Sequence, residues 1–215
     1  MSNPTTPASI GPGEFFPVVG VGPNEKPWPE GAQYDPELLL NGDRRNVLDH
    51  YRYWTVEAIV ADLDSKRHKL QIAIENWQHD LNIGSIVRTA NAFNVSGVHI
   101  VGKRDWNKRG AMVTDRYLTV HHHPTVEDFA VWCKENELPI IGIDNVPGSK
   151  QLESAQLPEK CVLLFGQEGA GMSDEGIAIC EVLYEINQYG STRSMNASAA
   201  GAIAMYHWAL QHLPR

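Results

Sequence analysis

The sequence predicts an α/β fold, a parallel sheet with helices on both faces. Two observations carry that expectation. From residue 70 onward, apolar runs of strand length (70–76, 97–101, 138–143, 161–166, 181–187) alternate with segments of helical periodicity (82–94, 125–136, 173–180, 196–212). Several strand-to-helix junctions are also rich in glycine and small polar residues, the composition of turns where orphan backbone N–H groups gather.

Taken in order, residues 1–43 hold eight of the 13 prolines, from Pro4 to Pro36, and six glycines up to Gly42. Such a stretch reads as an arm without regular structure, with Phe15, Phe16 and Trp28 as possible docking points. Residues 44–65 form a helical extension, with Thr55 as N-cap and Val56, Ile59, Val60 and Leu63 as the apolar face. Residues 66–215 make up the α/β domain. Its first strand alternates from Leu70 to Asn76, and Ile83, Ile86, Val87 and Ala90 supply the buried stripe of the helix that follows. Arg88 lies off that stripe among Gly84, Ser85, Asn91 and Ala92, either reaching into a cleft or solvated at the surface.

The strand at 161–165 enters Gly166-Gln167-Glu168-Gly169-Ala170-Gly171. Three glycines in six residues call for positive φ angles or a backbone that approaches something closely. This is not a phosphate loop, because Met172 stands where a Lys is required and Glu168 repels phosphate. It suits a ligand that is neutral or cationic at that end, or else it is a tight turn with a solvated Glu. The last strand passes through a turn at Gly190, Ser191 and Thr192 into a helix opened by Ser194, Met195 and Asn196. Ser194 and Asn196 are good N-cap residues, and the small residues from Ala197 to Ala202 permit close approach to a neighbouring backbone.

A chain of 215 residues accommodates one full domain plus an extension, and 42% apolar content is ample for a core. Cys133, Cys161 and Cys180 are odd in number and unpaired in spacing, which indicates reduced thiols and a cytoplasmic protein. No signal-like start or long apolar run is present, so neither secretion nor a membrane partner is expected. A net charge of −8 opposes nucleic-acid binding in general. Locally, Lys103, Arg104, Lys108, Arg109 and Arg116 outnumber Asp105 and Asp115. Trp106 beside them is a base-stacking candidate or a half-buried loop aromatic. His121-His122-His123 is not read as a metal site, since neighbours on an extended chain point in opposite directions.

Three patterns stand in order: N-x-G-x-x-x-R-x-A-x-x-F (Asn82, Gly84, Arg88, Ala90, Phe93), F-G-x-E-G-x-G (residues 165–171) and I-x-x-x-G-x-x-x-S-x-N-x-S (Ile186, Gly190, Ser194, Asn196, Ser198). Together they resemble the SpoU/TrmH branch of the SPOUT methyltransferases, RNA ribose 2′-O-methyltransferases that use S-adenosylmethionine. The likeness covers residues 66–212, with Asn187 and Gln188 where the family has Pro-Met, Met195 for a Leu and Ala197 for a Val. It implies a SPOUT domain with a C-terminal trefoil knot, a homodimer, and RNA as partner, tRNA ahead of rRNA. It also implies roles: Arg88, Glu168, Ser194 and Asn196 catalytic; Ile143, Gly166, Ile186 and Met195 on the cofactor; Asn82, Lys103, Arg104, Lys108 and Arg109 on RNA. A base methyltransferase of the same fold and an inert RNA-binding protein remain the alternatives. An oxidoreductase would need a dinucleotide fingerprint that the chain lacks.

Overall fold

A computed structural model describes residues 20–77 and 82–214. Two compact units divide between Ile59 and Val60. In the first, Asp35 caps helix α1 (Pro36–Asn41), accepting from the N–H groups of Glu37 and Leu38 at 2.8 and 3.3 Å. Pro36 at the first helical position loses nothing, because that N–H has no intrahelical acceptor. The expectation of no regular structure before residue 43 is therefore corrected: one capped turn is enough to start a helix there. Phe15 and Phe16 lie outside the described residues. Trp28 is half-buried and donates from Nε1 to the Asn24 carbonyl at 3.1 Å.

Asp43 organises this unit. Fully buried, it accepts from the Arg45 guanidinium at 2.9 and 2.7 Å and from the Tyr53 N–H at 3.0 Å. Burial by itself pushes its pKa up, but the hydrogen bonds from Arg45 and Tyr53 and the Arg45 charge outweigh it and hold the carboxyl at about 2. Helix α2 (Val56–Asp64) begins at the expected cap, with Thr55 Oγ1 accepting from the Ala58 N–H at 3.1 Å.

The second unit carries a seven-stranded sheet in the order β3–β2–β1–β6–β4–β7–β5. In chain order these are His68–Asn76, Val95–Gly102, Val120–His123, Ile140–Ile143, Lys150–Gln151, Cys161–Phe165 and Val182–Glu185. Every pairing between them is parallel. Helices α3 (Asn82–Ala92), α4 (Val126–Glu135), α5 (Asp174–Ala178) and α6 (Ala197–His212) complete it. Alternation along the strands sorts the core into two. Leu70, Ile72, Ile74, Leu163 and Phe165 pack against α3 and α6 through Ile83, Ile86, Met205 and Trp208. Ala73, Val162 and Leu164 pack against α4 through Val126, Phe129 and Cys133. The predicted α/β sheet with helices on both faces is what forms.

Two strands escape the sequence pattern. β5 is two residues long, and β3 consists of Val120 and three histidines with no apolar alternation. β3 holds through its contacts with β2: His99 shares a hydrogen bond with His123 at 2.9 Å and stacks on His121 at 4.7 Å, and His122 Nε2 bonds the Gly102 carbonyl at 2.8 Å. Helix α3 stops at Ala92, short of the expected 94, since Asn94 adopts a left-handed φ of 46°. Against α3 lies a 3-10 turn at Lys108–Ala111. A Cβ on Gly84 would stand 2.8 Å from the Ala111 nitrogen, so backbone proximity requires glycine there.

Candidate active site

A parallel sheet delivers the carboxyl ends of all its strands to one edge. There the segments following β4, β6 and β7 enclose a cleft of about 370 Å³. Apolar walls come from Ile143, Phe165, Ile186, Met195, Ala197 and Ala200, and polar groups from Asp144, Asn145, Gln167, Glu168, Gln188, Ser194 and Asn196. The volume is within the roughly 300–1,000 Å³ of small-molecule sites.

Gly166 lies where the chain is tightest. A Cβ there would meet the Met172 nitrogen at 2.1 Å and the Gly171 carbonyl carbon at 2.2 Å, so no other residue is accommodated. Its loop closes through the Gln167 and Gly171 backbones, which bond each other at 3.2 and 3.0 Å, with Gly171 at φ 73°. Asp144 braces it from below, Oδ2 accepting from the Met172 N–H at 2.7 Å. Over the opposite wall, Asn145 Nδ2 and Gln188 Nε2 both donate to the Arg193 carbonyl and hold the turn before Ser194.

One hydrogen-bonded chain joins all three sequence patterns. Asn82 Nδ2 donates to Glu168 at 2.5 Å, and Asn196 Nδ2 donates to Asn82 Oδ1 at 2.7 Å. Asn196 Oδ1 in turn accepts from the Ser198 and Ala199 N–H groups at 3.0 and 3.2 Å, capping α6. The amide orientations follow from chemistry. An ionised carboxylate only accepts and a backbone N–H only donates, so both amides must face as they do.

The structure thus brings together Ile143, Gly166, Glu168, Ile186, Ser194, Met195 and Asn196 along one cleft, with Asn82 bonded into its edge. Asn82, expected on RNA, is only 8% exposed and its amide is committed to Glu168 and Asn196. Arg88 stands exposed on α3 and does not line the cleft. Lys103, Arg104, Lys108 and Arg109 lie outside it, all exposed. Lys108 pairs with Asp115 at 3.1 Å and sits 5.5 Å from the ring centre of the half-buried Trp106. Sequence reasoning missed the bracing by the Asp144 side chain, since its partner is 28 residues away.

Among the described residues no Lys or Arg lines the cleft, whereas Asp144 and Glu168 do. Such a site disfavours phosphate and suits a ligand bearing a net positive charge. The cysteines stand apart from this chemistry: burial pushes the thiols of Cys133, Cys161 and Cys180 up to about 12, the last aided by the charge of Glu75.

Known proteins share this fold. Residues 69–206 match the SpoU rRNA Methylase family. A tRNA (guanosine(18)-2′-O)-methyltransferase of Borreliella burgdorferi is 25% identical over 147 residues, covering 67% of this chain and 67% of the relative. The TrmH/SpoU tRNA modifying enzyme of A. aeolicus superposes with a TM-score of 0.64 at 21% identity, covering 73% of this chain and 81% of that one. The SpoU methyltransferase AviRb of Streptomyces viridochromogenes, in complex with AdoMet, superposes at 0.62 and 22% identity, covering 71% and 61% respectively. By sequence and by fold, the chain belongs to the SpoU methylase family.

Proposed function

We propose that the protein transfers a methyl group from S-adenosylmethionine to a ribose 2′-hydroxyl of structured RNA, with tRNA favoured over rRNA. The Glu168–Asn82–Asn196 chain at the cleft carries this reading, because it fixes a carboxylate and an amide where the three patterns converge. The names of the relatives support it, as does the fit of a sulfonium cation to a cleft that holds carboxylates and, among the described residues, no Lys or Arg.

S-adenosylmethionine supplies an activated methyl for in-line displacement. The chain's own task is to seat a poor nucleophile and relieve it of its proton. Asn196 orients the ribose, Ser194 braces the turn, and Glu168 assists proton removal. Arg88 carries a guanidinium, a forked donor and not a base, so it grips the target phosphate and steadies developing negative charge. Ile143, Gly166, Ile186 and Met195 hold the cofactor, mainly through backbone. Lys103, Arg104, Lys108 and Arg109 take RNA phosphates.

Residues 66–215 form the methyltransferase domain in this reading, knotted as the family expectation has it, with the helical extension at 44–65 and the arm at 1–43 preceding it. The protein works as a cytoplasmic homodimer. Ile203, Tyr206 and Leu210 support the dimer, being 43%, 57% and 42% exposed along one side of α6. No helix among the described residues is long and apolar enough to cross a membrane.

The test is calorimetry with S-adenosylmethionine, followed by transfer of labelled methyl to tRNA and rRNA and mapping of the product. Arg88→Ala and Arg88→Lys should both lose turnover while keeping cofactor affinity, because a forked donor is needed. Methyl found on a base would favour the base-methylating alternative. Cofactor and RNA binding without transfer would make the protein an inert binder.

A further inference from the structure

Glu75 is a buried carboxylate that the proposed reaction leaves unused. It is the penultimate residue of β1, has no exposed surface and takes two hydrogen bonds from one residue, the Ser173 N–H at 2.7 Å and the Ser173 hydroxyl at 2.5 Å. Burying an acidic group this deeply is costly unless such partners compensate it. The helix beside it also makes room, for a Cβ on Gly176 would stand 2.7 Å from Glu75 Oε1. Capping of α5 does not explain the arrangement, since Ser173 Oγ already accepts from the Gly176 N–H at 3.0 Å without Glu75.

What Ser173 adjoins does explain it. Ser173 directly follows Met172, which lines the cleft. Two residues beyond Glu75, the Trp77 N–H donates to Gln167 Oε1 at 3.2 Å. The end of β1 therefore grips both ends of the glycine loop. We infer that Glu75 is a positioning residue which, acting through Ser173, sets the loop that forms the cofactor wall of the cleft. The inference rests on the reading that this cleft takes S-adenosylmethionine.

Replacing Glu75 by Met keeps the volume and removes both acceptors. Loss of hydrogen bonds to a charged group should weaken S-adenosylmethionine binding about tenfold. It should also speed amide exchange over residues 167–173, while the amides of β1 and β2 stay protected and RNA affinity holds. Glu75→Gln, which restores an acceptor for the Ser173 N–H, should recover most of both. If Glu75→Met fails to fold, Ser173→Ala probes the same link, with the same loosening expected. A folded variant with wild-type cofactor affinity and wild-type loop exchange, its melting temperature alone lowered, makes Glu75 a core carboxylate and overturns the inference. A wild-type protein whose loop is protected but which takes no S-adenosylmethionine overturns the functional reading instead, and the cofactor role with it.

Discussion

Asn82 is the residue on which the site closes. Its amide bridges Glu168 and Asn196, with bonds of 2.5 and 2.7 Å, and it spans residues 86 and 114 positions away. Asn82→Leu removes both bonds at similar volume. Single-turnover methyl transfer should slow at least tenfold on the scale of one lost charge-assisted hydrogen bond, with cofactor affinity little changed. An unchanged rate would place Asn82 outside the working site. His99 makes a different residue-scale prediction. Burial, then the charges of His121 and His123, lower its pKa to about 2, and it shares hydrogen bonds with His123 and with Gln71 Oε1. It is thus neutral in the fold and protonated in the unfolded chain below about 6.5. Because the unfolded state binds the extra proton, His99 contributes stability that is complete above about pH 6.5 and is lost as pH falls from there toward 2. The slope is about 1.4 kcal/mol per pH unit for this one proton. Urea unfolding should show about 1.4 kcal/mol of this loss between pH 7.5 and 5.5, and His99→Gln should remove it.

At the scale of elements, the 3-10 turn at Lys108–Ala111 and the segment leading into it form the basic surface beside α3. Gly84 and Gly110 let the two backbones touch, which fixes that surface relative to Asn82 and Arg88. Lys108 spends part of its charge on Asp115, whereas Lys103 and Arg104 form no ion pair among the described residues. The double variant Lys103→Ala/Arg104→Ala should therefore flatten the dependence of RNA affinity on salt by roughly two phosphates' worth. Superimposable salt series for wild type and variant would mean that these cations only solvate a loop.

For the whole molecule, the prediction concerns self-association. α6 buries Gly201, Ala204, Met205, Trp208 and Ala209 in the core and leaves Ile203, Tyr206 and Leu210 outward. Tyr206→Glu places a charge in the middle of that outward stripe. Sedimentation should find a dimer for the wild type and a monomer for the variant, with unfolding little affected because Tyr206 is 57% exposed. A variant that stays dimeric would move the interface elsewhere.

The sequence by itself determined the features that depend on near neighbours. Thr55, Thr125, Ser173 and Asn196 are helix caps because a side-chain oxygen reaches an N–H two or three residues on. The two-faced core follows from alternation along strands such as Leu70, Ile72 and Ile74. The ordered patterns also made the cleft-lining residues legible, since each pattern follows a strand and parallel strands end together. Tertiary structure alone decided the rest. The sheet inserts β6 between β1 and β4, and only that order brings Glu168 to Asn82. It also decided that the histidines of β3 form a strand, that Gly84 is needed by the turn at Lys108–Ala111, and that Asn82 faces Glu168 and Asn196 while Arg88 faces solvent. The physical reason is range: caps and periodicity act within a turn or a strand, whereas these contacts are set by strand order and packing across the domain.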